Sequence, residues 1–314
     1  MKHKFPGLIL LAIALTALSV KGSADELYFI DAHSSIGEDV ANLSTIIQRM
    51  DENDVYRTIL EARGKRESRS VQEFGKSNAE RIVPAIRVHS SAYQENRPKY
   101  YTKLNKRGAS GKWRALGEVV MYRTWKGNIG KEVAVYPNDE RVKAAVKVAS
   151  ENGWPVIAHI EFASISGSQR KRFMQGLKEL LTSNPDVPVV LIHMGQLRAT
   201  EARQLLGEHP NLHLMTSRSD TLSGEFRSRQ NWINMFFGRK LKADWKSLIT
   251  DYPDRFVFAL DMDLAERWLQ SHYRNKIKLW RSGLSELPSP VANAVAHGNA
   301  ERLWKLKPKS TAEK

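Results

Sequence analysis

A single α/β domain closed as a (β/α)8, TIM-type barrel is the fold predicted by this 314-residue sequence, and three observations predict it. Short apolar runs alternate with segments of helical period through nearly the whole chain, the pattern of repeated β-α units around a parallel sheet. There are eight such runs, the number that a closed barrel of this kind needs. The stretch that follows the first run, DAHSSIGED, is not the Gly-rich phosphate loop that a doubly wound open sheet would place there.

The order of elements begins with an export signal. Lys2, His3 and Lys4 precede an apolar run from Phe5 to Val20, and the small-residue stretch GSA follows, so cleavage after Ala24 is expected. The barrel is expected over 25–306 and a basic, mobile tail over 307–314. Its eight strands are expected at LYFID (27–31), VYRTIL (55–60), IVPAIRV (82–88), ALGEVVMY (115–122), WPVIAH (154–159), VPVVLIH (187–193), LHLMTS (212–217) and RFVFALD (255–261). Three intervening helices show their core-facing stripes: Val40, Leu43, Ile47 and Met50; Val142, Ala145, Val146 and Ala149; Phe173, Leu177, Leu180 and Leu181. The second of these starts from Asn138 as N-cap and stops at Gly153. Residues 218–250 are too long for a simple loop and carry Trp232, Met235, Phe236 and Phe237, which predicts an excursion at the barrel mouth. Helical segments close the chain at 264–281, 290–296 and 299–306.

Composition narrows the function. With 41% hydrophobic and 26% charged residues, the chain fits a soluble globular protein and not a disordered one. It has no cysteine, which excludes disulfides, a lipoprotein anchor and thiolate chemistry. The net charge of +15 falls to +12 when the signal takes Lys2, Lys4 and Lys21 with it, a balance suited to a bacterial envelope or an anionic small-molecule substrate. The basic residues are dispersed and no nucleic-acid-binding motif accompanies them, so no nucleic-acid partner is expected. Past the signal no apolar stretch is long enough for a membrane anchor. A periplasmic or secreted protein is the expectation.

Several runs stop on, or pass through, a residue able to bind a metal or move a proton. His33 lies just past strand one, Glu118 within strand four, and His159, His193 and Asp261 end strands five, six and eight. A parallel barrel gathers the carboxyl ends of its strands on one face, so these residues converge there. Imidazole and carboxylate donors suit a divalent ion such as zinc. Taken singly each has a plainer reading: Glu118 pairing with Arg87 or Arg123, Asp261 capping the next helix.

FIDAHSS, LGEV, PVIAH, VVLIHMG, RFVFALDMD and GNAERLW together resemble, in order and approximate spacing, the amidohydrolase-related family of metal-dependent TIM-barrel hydrolases, over about 27–306. The resemblance implies His33, His159 and Asp261 as ligands of one divalent metal ion, most simply zinc, with Glu118 reaching the metal or its water and His193 assisting the chemistry. It also marks a departure, because typical members carry a second strand-one histidine where this chain has Ser35. A hydroxyl is a poor ligand for such an ion, although three protein ligands still make a site.

Around the same edge, Arg87, His89, Arg123, Glu161 and Ser217 are the expected substrate-binding residues, with Tyr122 and Arg218 beside them. The function these features predict is an exported metal-dependent hydrolase in which water, deprotonated with help from Asp261, attacks an ester, lactone or amide carbon while His193 polarises the carbonyl. A decarboxylase with the same metal cup is the mechanistic variant. A non-catalytic envelope binding protein on a barrel that has lost its metal is the competing class.

Overall fold

The structure is a computed structural model and describes residues 27–125, 131–220 and 232–310. The signal segment and the last residues of the tail lie outside the described residues. All eight expected runs form barrel strands. They are β1 (Phe29–Ile36), β2 (Val55–Ala62), β3 (Ile82–Ile86), the split pair β4 (Ala115–Leu116) and β5 (Val119–Arg123), then β7 (Val156–Ile160), β8 (Val189–Leu191), β9 (Leu212–Met215) and β12 (Phe256–Val257). A short β6 (Val133–Ala134) lies antiparallel on β5. The parallel order is β1-β2-β3-β4 on one side and β12-β9-β8-β7-β5 on the other. Only Gly117 and Glu118 separate the two sides at the fourth strand.

Backbone hydrogen bonds close the ring between the first strand and the chain just past the last. Ala32 donates to the carbonyl of Phe258 (3.1 Å), Asp261 to that of His33 (2.9 Å) and Ser35 to that of Met262 (2.8 Å). Side chains strengthen the seam: the amide of Leu260 donates to Asp31 Oδ1 (2.8 Å) and that of Met262 to Ser34 Oγ (2.9 Å). Two buried side chains thereby satisfy backbone donors that a regular ladder would have paired.

Strand one is longer than its apolar run. His33 and Ser35 sit inside β1, because the strand continues through the polar residues to Ile36. Its register against β2 shifts between Asp31, opposite Thr58, and Ser34, opposite Leu60. The extra residue is a β-bulge, a device that re-aims side chains at functional edges.

The strands are buried on both faces, as parallel strands covered by helices must be. Ile30, Ala32, Ile59, Val83, Ile157, Val190, Met215 and Val257 form one apolar cluster with Ala300, Leu303, Trp304 and Leu306, so the last helix, α11 (Asn299–Leu303), packs against the strand interior. Helices on the outside bury the other strand face. In α5 (Glu140–Asn152) the stripe Val142, Ala145, Val146 and Ala149 is buried, and in α6 (Gly167–Ser183) so are Phe173, Leu177, Leu180 and Leu181. The N-cap of α5 is Asp139 and not Asn138: its carboxylate accepts the Arg141 amide (2.9 Å) and also holds the Arg141 guanidinium. Gly153 ends the helix at φ 64°, where only a residue without Cβ is at ease. In α1 (Ser44–Asp51), Ile46 and Met50 are buried while Leu43 and Ile47 are only half covered, because the helix starts at Ser44 and turns a different stripe inward.

The expected excursion is described from Trp232 onward. Met235 and Phe236 are buried, a hairpin of β10 (Phe236–Phe237) and β11 (Lys240–Leu241) exposes Phe237, and α8 (Ala243–Asp251) returns to the barrel. Part of the expected mobile tail is held, since Arg57 donates to the Lys307 carbonyl and the Lys309 ammonium lies 5.5 Å from the Tyr28 ring centre.

Candidate active site

The carboxyl ends of the strands bring His33, Glu118, His159, His193 and Asp261 together. His33 Nε2 is 3.5 Å from Asp261 Oδ1, and His193 Nε2 is 3.8 Å from Asp261 Oδ2. The His159 and His193 rings meet edge to face with centres 5.2 Å apart, and Glu118 makes a short hydrogen bond to His159 Nδ1. His33, His159, His193 and Asp261 are all buried.

Two overlapping donor sets emerge. Ligand atoms of Glu118, His159 and His193 lie within 4.8 Å of one another, and so do those of His33, Glu61 and Glu118. Imidazole nitrogens and carboxylate oxygens at this spacing fit a divalent ion of the zinc or manganese type. His193, expected as an assisting group, joins the first set. Asp261, expected as a ligand, is in neither set; Arg218 Nε binds its Oδ2, and Arg218 Nη2 reaches Asp263 Oδ2 at 2.9 Å.

The two histidines of the first set are held by partners on their far nitrogens. Glu161 Oε1 takes His159 Nε2 at 3.1 Å, and Glu161 Oε2 is fixed by the Thr124 amide at 2.8 Å. His193 Nδ1 faces both the carbonyl (3.2 Å) and the hydroxyl (2.9 Å) of Ser217. A carbonyl only accepts, so Nδ1 carries the proton and Nε2 is turned to the cavity. Such partners set tautomer and ring direction in metal sites. Glu161 and Ser217, expected at the substrate, lie against His159 and His193.

Electrostatics follow from this packing. Burial works against an ionised Glu118, but the charge and hydrogen bond of His159, with His33 and His193, hold its carboxyl well below the usual range. Burial would also keep His159 neutral, and the two flanking glutamates outweigh it, raising the ring to about 9. Burial and the neighbouring Glu118 charge push Glu61 well above the usual range. Asp261 is lowered because Arg218 and His33 outweigh its desolvation. Asp31, two residues before His33 on β1, is raised to about 7 by burial despite its hydrogen bonds from Ser34, Leu260 and His33.

The backbone is strained at the same edge. His193, Met194, Gly195 and Gln196 follow β8 with φ between 50° and 61°, a left-handed turn. Each non-glycine residue there costs about 1–2 kcal/mol. Arg218 and Asp261 also have positive φ, 54° and 53°. Strain of this kind persists where surrounding contacts fix it, and it gathers at functional sites. Gly195 is required, since a Cβ would come within 2.5 Å of Leu191.

The remaining expected contacts divide. Arg87 is committed to backbone carbonyls, those of His89 (2.9 Å) and Gly64 (2.7 Å). His89 Nε2 accepts from the Gln94 amide at 2.9 Å, while its buried Nδ1 has no partner among the described residues. Burial and the Arg123 charge beside it hold His89 down to about 4. Arg123 donates weakly to the Lys131 carbonyl (3.4 Å) and its buried Nε has no partner among the described residues. Trp232 lies edge-on to His193, ring centres 5.1 Å apart, with the Arg218 guanidinium 5.7 Å from the indole centre. Glu61 and the orienting roles of Glu161 and Ser217 were not foreseen. The one available signal for Glu61 was its place at the end of the second apolar run, like the other strand-end acids.

A parallel barrel with buried imidazoles and carboxylates converging at the carboxyl ends of its strands defines a metal-dependent barrel enzyme. The sequence profile described as Amidohydrolase matches residues 130–306, more than half the chain, and the protein belongs to that family. No curated protein matches it. Among solved structures, it is similar to an uncharacterised TIM-barrel protein from Bordetella bronchiseptica, with TM-score 0.56, 16% identity, and coverage of 84% of this chain and 83% of that one. It is also similar to 2,6-dihydroxybenzoate decarboxylase from Rhizobium, with TM-score 0.55, 11% identity, and coverage of 90% and 99%. A third is an amidohydrolase from Burkholderia multivorans with bound zinc, with TM-score 0.54, 15% identity, and coverage of 89% and 100%. At these identities the likeness speaks for the fold.

Proposed function

We propose that the protein is an exported, zinc-dependent hydrolase acting on an ester, lactone or amide carbon of a small carboxylated substrate. The observation that carries this reading is the donor set of Glu118, His159 and His193, whose two histidines are each held from behind by a buried partner. Those three residues would hold the ion, with His33 and Asp261 alongside. A bound divalent ion supplies Lewis acidity, polarising a substrate oxygen and easing ionisation of water.

The chain's own groups do the rest. Asp261, kept ionised by Arg218 and His33, accepts at its carboxylate the proton that attacking water gives up. Trp232 covers the His193 side of the cavity and limits access of bulk water there. His89 Nδ1 and Arg123 Nε are two buried donors without acceptors among the described residues, and a carboxylate that reached both would satisfy them. The dihydroxybenzoate decarboxylase likeness keeps carbon dioxide release in play as a variant on the same residues.

The test is metal analysis of the full chain purified without chelator, followed by assay of the zinc-loaded protein on lactones, esters, amides and carboxylated aromatics. Bound zinc that His159→Ala removes, with turnover on one of these classes, is the expected result. A chain that retains no zinc, or zinc untouched by His159→Ala, overturns the assignment. Export is tested by the N-terminal residue of the mature protein, expected to be Asp25.

A further inference from the structure

The hairpin of β10 and β11 turns two aromatic neighbours in opposite directions. Phe236 and Leu241 are cross-strand partners and both are buried, whereas the next pair, Phe237 and Lys240, is exposed. Alternation along a strand puts each pair on its own face. The buried pair is locked in place: the Phe236 and Trp280 rings meet edge-on with centres 5.0 Å apart, and a Cβ on Gly283 would stand 2.7 Å from Phe236 and 3.2 Å from Leu241. Trp280 and Gly283 belong to α9 (Gln270–Leu284), so the hairpin is pinned to that helix while Phe237 faces out. Phe237 is 82% exposed, more than any other large apolar side chain among the described residues.

Cations surround this ring. Lys240 stands directly across from it, and Arg239 lies in the turn between them. The Arg239 guanidinium donates to the Lys278 carbonyl (3.4 Å), which brings α9 beside the tip. There Arg274 and Lys278, four residues apart, share one exposed helix face. Among the described residues none of these four cations is in an ion pair. Residues 237–246 carry four basic side chains and one acid, Asp244. Glu286, the acid against the hairpin, is taken up by the Leu241 amide (3.1 Å) and Lys246 (3.4 Å).

We propose that this hairpin docks the protein on an anionic phospholipid surface, with Phe237 entering between headgroups and acyl chains and Arg239, Lys240, Arg274 and Lys278 meeting lipid phosphates. The ring leaves water on docking, and the cations are drawn by the negative surface potential. Charge complementarity extends to the whole chain, whose formal net charge is +15. A nucleic-acid strand is held by several stacked rings along a track of cations, and the tip offers one ring. Docking of this kind lies on the bilayer and is reversible. It is independent of the chemistry at the strand ends.

The test is co-sedimentation with vesicles of equal phosphatidylglycerol and phosphatidylcholine, and with phosphatidylcholine alone as the neutral control. It uses the chain from Asp25, which contains every described element and leaves out the apolar run from Phe5 to Val20. Binding to the anionic vesicles alone is expected. Phe237→Ala should weaken it about 10-fold, the loss of a buried phenyl group, and Lys240→Ala about 5-fold. Lys106→Ala, on α4 (Pro98–Gly108) where it packs against α5, should leave binding within about 2-fold of the wild type. The replaced side chains are exposed, so an unchanged Tm checks the fold of each variant. Because the chain has no cysteine, Phe237→Cys carrying an environment-sensitive dye reports on the tip by itself, and its emission should shift to the blue at saturating anionic lipid. Equal binding to both kinds of vesicle, binding untouched by Phe237→Ala, or an unshifted dye overturns the proposal. A dimer in gel filtration that Phe237→Ala splits, or a dye that responds to a single-stranded oligonucleotide and not to vesicles, overturns it too, and identifies the cover as a second copy or a nucleic acid.

Discussion

The two ends of the barrel are built on opposite principles. At the carboxyl end, Glu61, Glu118, His159, His193 and Asp261 are buried or nearly so with their charges close together, and the backbone at His193, Met194, Gln196, Arg218 and Asp261 is left-handed. The strand interior away from that end is apolar and closed by α11 and the residues just after it, where Leu303, Trp304 and Leu306 pack with Ile30, Ile157 and Val257. Stability is drawn from one region and chemistry from the other, the division expected of this fold. Each can be altered with little effect on the other.

The largest effect expected belongs to the plug. Trp304→Ala should destabilise the protein by about 3–5 kcal/mol in denaturant unfolding, the usual result of emptying a buried aromatic site, while zinc affinity of the folded fraction stays unchanged. A parallel loss of zinc affinity would break the separation. At the other end, Ser217→Ala should weaken zinc binding about 10-fold, because His193 Nδ1 loses its hydroxyl partner and keeps only the Ser217 carbonyl, with unfolding little changed. Calorimetric titration reads that difference.

A third prediction concerns pH. His213, at the start of β9, is held down to about 3 by burial and by the charges of Arg255 and Arg302. Its pKa in the unfolded chain is about 6.5, so between those values the unfolded chain binds the proton and the native one does not. The stability it contributes is complete above about pH 6.5 and is lost as pH falls toward 3, amounting to about 2 kcal/mol by pH 5. Unfolding measured at pH 7 and pH 5 should show that slope, and His213→Gln should flatten it. The smallest effect is at the strained turn: Gln196→Gly removes a left-handed non-glycine residue and a buried amide whose two polar atoms have no partner among the described residues. It should raise stability by about 1 kcal/mol, read as a higher Tm.

The same contrast explains what the sequence could and could not disclose. The barrel was legible because each strand is covered on both faces and must be written as an apolar run, as in VPVVLIH and WPVIAH. Boundaries were less so: the apolar count ends β1 at Asp31, whereas pairing with β2 and the seam to Met262 carry it on through polar residues. ALGEVVMY reads as one strand, and only the space taken by Glu61 reveals why it breaks at Gly117. Among site residues, the strand-end histidines and Asp261 stood out because each closes an apolar run, whereas Glu61 lies one residue past the end of VYRTIL and was passed over. Whether Glu161 faces a ligand or the back of His159 depends on a side-chain direction that alternation along a strand leaves open once the strand has ended. The pairing of Arg218 with Asp261 joins residues 43 apart and has no local signature.

The seam between β1 and the segment after β12 has a consequence for how the protein comes into being. Asp31 receives its amide partner from a residue 229 positions later, and Ser34 from one 228 later. A chain still under synthesis, or cut short anywhere before Met262, holds an open sheet whose first and last edges never meet. Competence therefore arrives all at once and late, and no nested fragment is a smaller working version of the whole.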